Sequence, residues 1–180
     1  MKIFSKFLLL IAAAIPGVSC SPNRPAPKTI SSFDAERYTG EWHEIGRLPN
    51  TFERGLVAAK ATYGKNADGT ISVKNEGLKP SGKETGIEGK ATQPKVSDPG
   101  KLLVRFDRFP ANLFAGDYWI LDVNSSYTRA LVGSPDYKFL WLLSKDPADG
   151  IEDFTTQISK AKELGYDTDS IFYNPKRVSE

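Results

Sequence analysis

Cysteine and histidine, which often act as nucleophile, base or metal ligand, each occur once in this 180-residue chain, as Cys20 and His43. A serine nucleophile needs a base within hydrogen-bonding reach, and a structural zinc site needs four protein ligands. No Gly-x-Ser-x-Gly sequence occurs, and no pair of carboxylates is spaced for acid–base work. The residue types therefore argue against a metal centre, a cofactor and an enzyme. They predict that His43 is an ordinary strand residue.

Cys20 directly follows a hydrophobic leader, and this position indicates which modification it could undergo. Residues 1–19 have a basic start, an apolar run over 7–15 and small residues before the cysteine, the order typical of a secretory signal peptide. The run is too short for a membrane-spanning helix, which needs about 20 residues. A cysteine at this point resembles the lipidation site of bacterial lipoproteins, although Gly17 replaces the usual leucine. An ordinary signal peptide with an incidental cysteine is the alternative.

Removal of the leader changes the charge of the chain. The whole sequence has 24 basic and 22 acidic residues, and the leader holds Lys2 and Lys6 but no acidic residue, so 22 of each remain. A neutral domain without a basic run lacks the electrostatic footprint of a nucleic-acid-binding protein, and it lacks a polybasic segment for anionic lipid. Since no cysteine follows Cys20, an exported domain must be stable without disulfide bonds.

The elements that position these residues follow a proline-rich segment. Residues 20–32 contain three prolines and little that could pack, which predicts a lipidated cysteine and an extended tether. We expect the folded domain over 33–175 and a tail at 176–180. Short β-type runs separated by turn sequences about every 10 residues indicate eight strands. These are A (42–48), B (57–63), C (70–75), D (84–92), E (101–107), F (117–123), G (127–133) and H (138–144).

The spacing of the apolar residues changes after strand H. Over 151–164 they recur every three or four residues, which predicts one face of a helix. Asp149 and Glu152 are candidates for a capping box, and Gly165 for the C-terminal stop. A short strand over 170–173 follows. The eight sequential strands predict an all-β fold, an antiparallel up-and-down barrel that closes around one small ligand, with the helix packed outside.

Four blocks of sequence carry a family resemblance. They are Gly-Glu-Trp at 40–42, Gly-Asp-Tyr-Trp at 116–119, and the segments 127–133 and 140–145. In this order and spacing over 33–174 they resemble the lipocalin family, specifically its bacterial outer-membrane lipoprotein type related to apolipoprotein D. The resemblance implies a β-barrel calyx that carries fatty acid, lysophospholipid or a similar amphiphile, without enzymatic activity.

The barrel topology predicts one closed end and one open end. Trp42 begins strand A and Lys145 ends strand H, and these strands are neighbours in a closed barrel. A cation over an indole is worth about 0.5–2 kcal/mol, so we expect this pair to close the floor; the family usually has arginine in place of Lys145. At the opposite end, the mouth, two loops carry large apolar residues that form either a membrane-facing gate or a satellite core: Phe52, Leu56, Phe109, Pro110, Leu113 and Phe114.

Strand alternation predicts which side chains line the barrel, because residues two apart share a face. Small residues leave volume and aromatic residues provide flat apolar contacts, which suits an alkyl chain or a fused-ring lipid. Asn75, Tyr118 and Asp122 have the parity for polar contacts, and no arginine or lysine is expected inside. The predicted ligand-binding residues are Ala59, Ala61, Ile71, Val73, Val104, Phe106, Tyr118, Ile120, Val132, Phe139 and Trp141.

Two functions are compatible with these features, and a third is disfavoured. The first is a lipid carrier attached to the cell envelope through Cys20, on the outer membrane facing the periplasm, where Ser21 resembles the sorting preference. The second is an envelope interaction protein with a filled barrel and a partner at its loops. The third, a lipid-modifying enzyme on the same barrel, lacks the residues described above. Exposed apolar residues at the mouth would also allow a homodimer.

Overall fold

The computed structural model describes residues 24–108, 113 and 115–175. The predicted leader, Cys20 and the predicted tail at 176–180 lie outside the described residues, as do Phe109, Pro110 and Phe114 at the mouth. Among the residues described, no helix is long and apolar enough to cross a membrane.

A closed antiparallel β-barrel forms most of the fold. Eight strands follow the order β2-β3-β4-β5-β6-β7-β8-β1, and β1 also pairs with β2, which closes the barrel. The ninth strand pairs with β1 outside the closed set. The elements are α1 (Ala35–Tyr38), β1 (Gly40–Arg47), β2 (Ala58–Lys65), β3 (Ile71–Leu78), β4 (Glu84–Thr92), β5 (Lys101–Phe106), β6 (Ala115–Val123), β7 (Arg129–Gly133), β8 (Leu140–Ser144), a 3₁₀ turn (Ile151–Phe154), α2 (Thr155–Leu164), a second 3₁₀ turn (Thr168–Ser170) and β9 (Phe172–Tyr173).

The predicted fold class is confirmed, and the strand bounds differ in both directions: β3 is longer than predicted, whereas β7, β8 and β9 each begin two residues later than predicted. The bounds of β4 are those predicted. The sequence predicts that the third strand ends at Asn75, whereas β3 continues to Leu78, because its backbone pairs with β4 as far as Leu78↔Glu84. At the turn between β2 and β3, Gly69 has φ +82°, the conformation that the Asp-Gly sequence predicts.

Two apolar cores lie on the two sides of the barrel wall. The inner core fills the closed end of the barrel and includes Trp42, Val73 and Ile120. The outer core, with Leu131 and Phe154, lies between the wall and the C-terminal elements. The helix therefore packs outside, as predicted.

The start of the helical segment differs from the prediction. Asp149 does not cap the helix; its carboxylate accepts hydrogen bonds from Arg129 at 2.7 and 2.8 Å and from Ser144 at 2.6 Å. The backbone N–H of Gly150 instead donates to the Asp153 carboxylate at 2.8 Å. The C-terminal prediction is confirmed, since Gly165 caps α2 with φ +97°.

The segment before α1 packs against the barrel, although its proline content predicts a free tether. The Tyr137 hydroxyl donates to the Pro25 carbonyl at 2.6 Å, and the Ile30 N–H donates to the Ile120 carbonyl at 3.0 Å. The Arg24 guanidinium lies 4.9 Å from the centre of the Tyr137 ring. Pro27 is buried, so a proline-rich stretch here contributes apolar surface that the sequence interpretation overlooked.

Candidate functional site

The closed end of the barrel is formed by Trp42 and its neighbours. The indole is wholly buried and its Nε1 donates to the Tyr38 carbonyl at 2.8 Å. The Lys145 Nζ lies 5.1 Å from the ring centre and donates to the carbonyls of Arg37 and Thr39 at 2.9 and 2.7 Å. Loss of hydration, and then the charge of Arg37, lower the pKa of Lys145. These backbone bonds hold the ammonium at the floor.

Tyr38 enters the barrel from below, where the sequence predicts no lining residue. Asp34 caps α1 by accepting from the N–H groups of Glu36 and Arg37 at 3.0 and 3.2 Å. This short helix places the Tyr38 ring 4.6 Å from Trp42 in a stacked arrangement. The barrel is therefore lined by a residue of α1 as well as by residues of the strands.

Three tyrosine hydroxyls meet inside the barrel. The Tyr118 hydroxyl lies 2.8 Å from that of Tyr38 and 2.9 Å from that of Tyr63. Burial removes the water that would stabilise a phenolate and raises the pKa of all three side chains. The three groups are therefore neutral at physiological pH and offer hydrogen bonds without charge. Tyr63 shares the inward parity of Ala61, and sequence reasoning could have included it.

The structure brings most of the predicted lining residues together. Nine of them belong to the inner core or pack against it: Ala61, Ile71, Val73, Val104, Phe106, Tyr118, Ile120, Val132 and Trp141. Phe139 stacks on Trp141 with ring centres 5.7 Å apart and an interplanar angle of 5°. Ala59 is half-buried and pairs with Gly77 on β3.

Burial of the inward-facing residues changes along the barrel axis. Near the floor, side chains such as Trp42 and Leu143 are buried. Toward the other end, Phe106 and Trp141 remain half-exposed although they face inward. Solvent therefore reaches apolar side chains inside the mouth half of the barrel, while side chains fill the floor half.

A buried ionic cluster lies at the mouth, where the sequence predicts no interior arginine. Arg47 is 5% exposed and Glu44 6%; the guanidinium donates to the Glu44 carboxylate and lies 3.7 Å from that of Glu53. The Trp141 Nε1 donates to Glu53 at 3.1 Å. Burial, and then the negative charge of Glu53, raise the pKa of Glu44 to about 8, against the opposing effect of Arg47. Arg47 thus faces two carboxylates, and Glu44 keeps its proton at a higher pH than an exposed glutamate does.

Two polar residues, Arg47 and Asp122, lie on the opposite face of their strands from the one that strict alternation predicts. A β-bulge explains each difference. Between Glu44 and Gly46 the register of β1 shifts, so that Arg47 pairs with the inward-facing Trp141. A second shift in β6 follows Ile120. Asp122 therefore faces α2, where its carboxylate accepts from Lys160 Nζ at 2.8 Å. Strict alternation cannot reveal a bulge, so no signal in the pattern marked either residue.

Apolar side chains are exposed at the rim of the mouth. Phe52 is 80% exposed and its ring centre lies 5.8 Å from that of Phe139. Leu113 is 58% exposed. Leu56 is half-buried against Gly77, where an added Cβ would meet it at 2.5 Å. Leu56 therefore packs as expected for a satellite core, whereas Phe52 is exposed as expected for a membrane-facing gate.

Other parts of the described chain offer little to a ligand or a metal ion. A cleft of about 700 Å³ at the edge of β3 and β4 is lined mainly by charged and polar side chains: Lys74, Glu76, Glu84, Thr85, Gly86, Ile87, Glu88, Asp107 and Arg108. No group of three or more metal-ligating side chains occurs within the described residues. His43 is a strand residue whose Nε2 lies 3.2 Å from the Glu41 carboxylate.

Comparisons with known proteins agree with this geometry. A family model described as a lipocalin-like domain matches residues 33–176. Temperature-induced lipocalin-1 of Arabidopsis thaliana is 37% identical over 155 residues, which cover 83% of this chain and 82% of the relative. The outer membrane lipoprotein Blc of Vibrio cholerae is 36% identical over 171 residues, covering 93% and 95%. Insecticyanin from the tobacco hornworm Manduca sexta has a similar structure, with a TM-score of 0.67, 24% identity, and coverage of 84% and 85%.

Proposed function

Because this chain belongs to the lipocalin family of hydrophobic-ligand carriers, we propose that it holds a fatty acid, a lysophospholipid or a similar amphiphile in its barrel at the cell envelope. One observation carries the proposal. Inward-facing Phe106 and Trp141 are half-exposed inside a barrel whose other end is closed, and an apolar chain that entered there would remove this surface from water.

The predicted lining residues supply the contacts for the chain of the ligand. Trp141 and Phe139 form a stacked aromatic wall, and the small side chains of Ala59 and Ala61 lie on β2, two strands away. The carboxylate or phosphate head would lie at the mouth, beyond the buried Arg47, which Glu44 and Glu53 already neutralise. The head group can then remain in contact with water, so the cost of burying its charge is avoided.

The envelope location rests on the leader and on the relatives. Lipidation at Cys20 would attach the domain to a membrane, and the Vibrio cholerae relative is named an outer membrane lipoprotein. We therefore infer a lipid-anchored carrier of the outer membrane, without catalytic activity. Exposed Phe52 at the rim would allow contact with the membrane or with a second copy of the chain.

Purification without detergent followed by native mass spectrometry tests the carrier function. We expect bound lipid on residues 21–180 and, after delipidation, saturable displacement of a fluorescent fatty acid by palmitate or a lysophospholipid. Trp141→Ala should weaken binding about tenfold, since about 60 Å² of lost contact at about 25 cal/mol per Å² is about 1.5 kcal/mol.

Trp119→Ala is the matched control, because Trp119 packs in the outer core and should leave lipid binding unchanged. A folded, delipidated protein that binds neither lipid would refute the carrier proposal. Binding that both tryptophan variants weaken equally would place the lipid outside the barrel.

A further inference from the structure

The tyrosine cluster inside the barrel has more hydrogen-bond donors than it uses. The hydroxyls of Tyr38, Tyr63 and Tyr118 come from α1, β2 and β6 and are joined by two hydrogen bonds. Three hydroxyls carry three hydrogens, and over residues 24–108, 113 and 115–175 no other side chain or carbonyl accepts from them. One hydrogen of the cluster is therefore available to a further acceptor.

A buried acceptor without a partner lies next to this cluster. Asn75 Oδ1 is buried and has no hydrogen-bond partner within the described residues. Asn75 shares the inward parity of Val73, which pairs directly with Tyr63. Asn75 and Tyr63 are thus diagonal neighbours, whose Cα atoms are about 7–8 Å apart in such a sheet. A buried acceptor of this kind is costly unless something donates to it.

The nearby charged groups are already occupied. Lys145 lies at the floor and donates to two backbone carbonyls, and Arg47 is held at the mouth by Glu44 and Glu53. A carboxylate or phosphate beside the tyrosines would therefore be buried without a counter-ion. A neutral group that can both accept and donate fits this place, and a hydroxyl does both.

We propose that the tyrosine cluster and Asn75 form a neutral polar subsite that binds a hydroxyl at the buried end of the ligand. The ligand oxygen accepts the spare hydrogen of the tyrosine cluster, and the ligand O–H donates to Asn75 Oδ1. This subsite depends on the proposed carrier function, and it specifies the chemical class of the ligand. The ligand is an amphiphile with its charged head at the mouth and a hydroxyl at the far end of its apolar body.

Three fatty acids of equal chain length test the subsite in the full domain. Hexadecanoic acid has no hydroxyl, 16-hydroxyhexadecanoic acid carries one at the far end, and 2-hydroxyhexadecanoic acid carries one beside the head. Each displaces a fluorescent fatty acid from the delipidated protein. We expect the 16-hydroxy acid to bind about fivefold more tightly than the other two. In a purely apolar barrel it would bind more weakly, because its hydroxyl would lose water without a partner.

Asn75→Leu removes the acceptor while keeping a side chain of similar size. In this variant the 16-hydroxy acid should bind no more tightly than hexadecanoic acid, whose own affinity should be unchanged or improved. Lys74→Gln is the matched control, since Lys74 neighbours Asn75 but is exposed on the outer face of β3, and this variant should retain the preference.

The outcomes separate this proposal from the carrier function. Equal or weaker binding of the 16-hydroxy acid by the unmodified protein would overturn the subsite and leave the carrier intact. A preference that survives in Asn75→Leu would overturn the assignment to Asn75. Failure of all three acids to bind would overturn the carrier function, and the subsite with it.

Discussion

Replacing Glu44 with glutamine should change how the stability of the barrel depends on pH. The pKa of Glu44 is raised from 4.5 to about 8 in the folded protein, mainly by burial and then by Glu53. Between these two values the unfolded chain has lost the proton that the folded protein keeps, so folding takes up a proton. The free energy of unfolding contributed by this group therefore falls as pH rises from about 4.5 to 8.

The size of the effect follows from the shift. A difference of one pKa unit corresponds to about 1.36 kcal/mol, so a rise from 4.5 to about 8 corresponds to at most about 5 kcal/mol across this range. Glu44→Gln keeps the shape and the hydrogen-bonding capacity of a protonated carboxyl without the titration. We expect the difference in stability between the variant and the unmodified protein to shift in favour of the variant as pH rises.

Urea unfolding at pH 5, 6.5 and 8 measures this difference. Glu163→Gln, on the exposed side of α2, is the control and should follow the unmodified protein at every pH. Parallel curves for Glu44→Gln and the unmodified protein would refute the reasoning, because they would mean that Glu44 is ionised throughout and paired with Arg47. If the free energy of unfolding rose with pH in the unmodified protein but not in the variant, the inferred direction of the effect would be wrong.

Two further substitutions test the floor and the wall of the barrel. Trp42→Ala removes a wholly buried ring with its stacking and hydrogen bond, and should lower the free energy of unfolding by about 3–5 kcal/mol in urea titrations; a loss below about 1 kcal/mol would contradict its place in the core. Gly89→Ala would place a Cβ 2.3 Å from the Arg105 carbonyl oxygen. Thermal unfolding should therefore show a lower midpoint than that of Gly116→Ala, whose Cβ would lie 3.9 Å from the nearest atom, the Val104 carbonyl oxygen.

The alternation of apolar and polar residues was enough to predict the barrel and most of its lining. Ile71 and Val73 on β3 illustrate why, since both are buried and the intervening Ser72 is not. Regular strands repeat every two residues, so parity alone assigns their faces. Tyr63 lies two residues beyond Ala61 on β2 and has the same inward parity, so strand alternation also predicts its place in the lining.

The parts that could not be predicted depend on departures from regular structure. The bulge in β1 turns Arg47 inward and creates the ionic cluster at the mouth. Tyr38 reaches the interior from a helix of four residues outside the strands. Both depend on three-dimensional geometry, because neither a bulge nor the approach of a helix to the barrel floor changes local composition.

The packed segment before α1 determines where the chain enters the domain. Arg24 lies beside Tyr137, in the loop between β7 and β8, which is at the mouth. The segment therefore joins the domain at the open end of the barrel. A lipid on Cys20 would thus hold the mouth, with its exposed Phe52, toward the bilayer. A ligand that left this bilayer would then meet the open end of the barrel first.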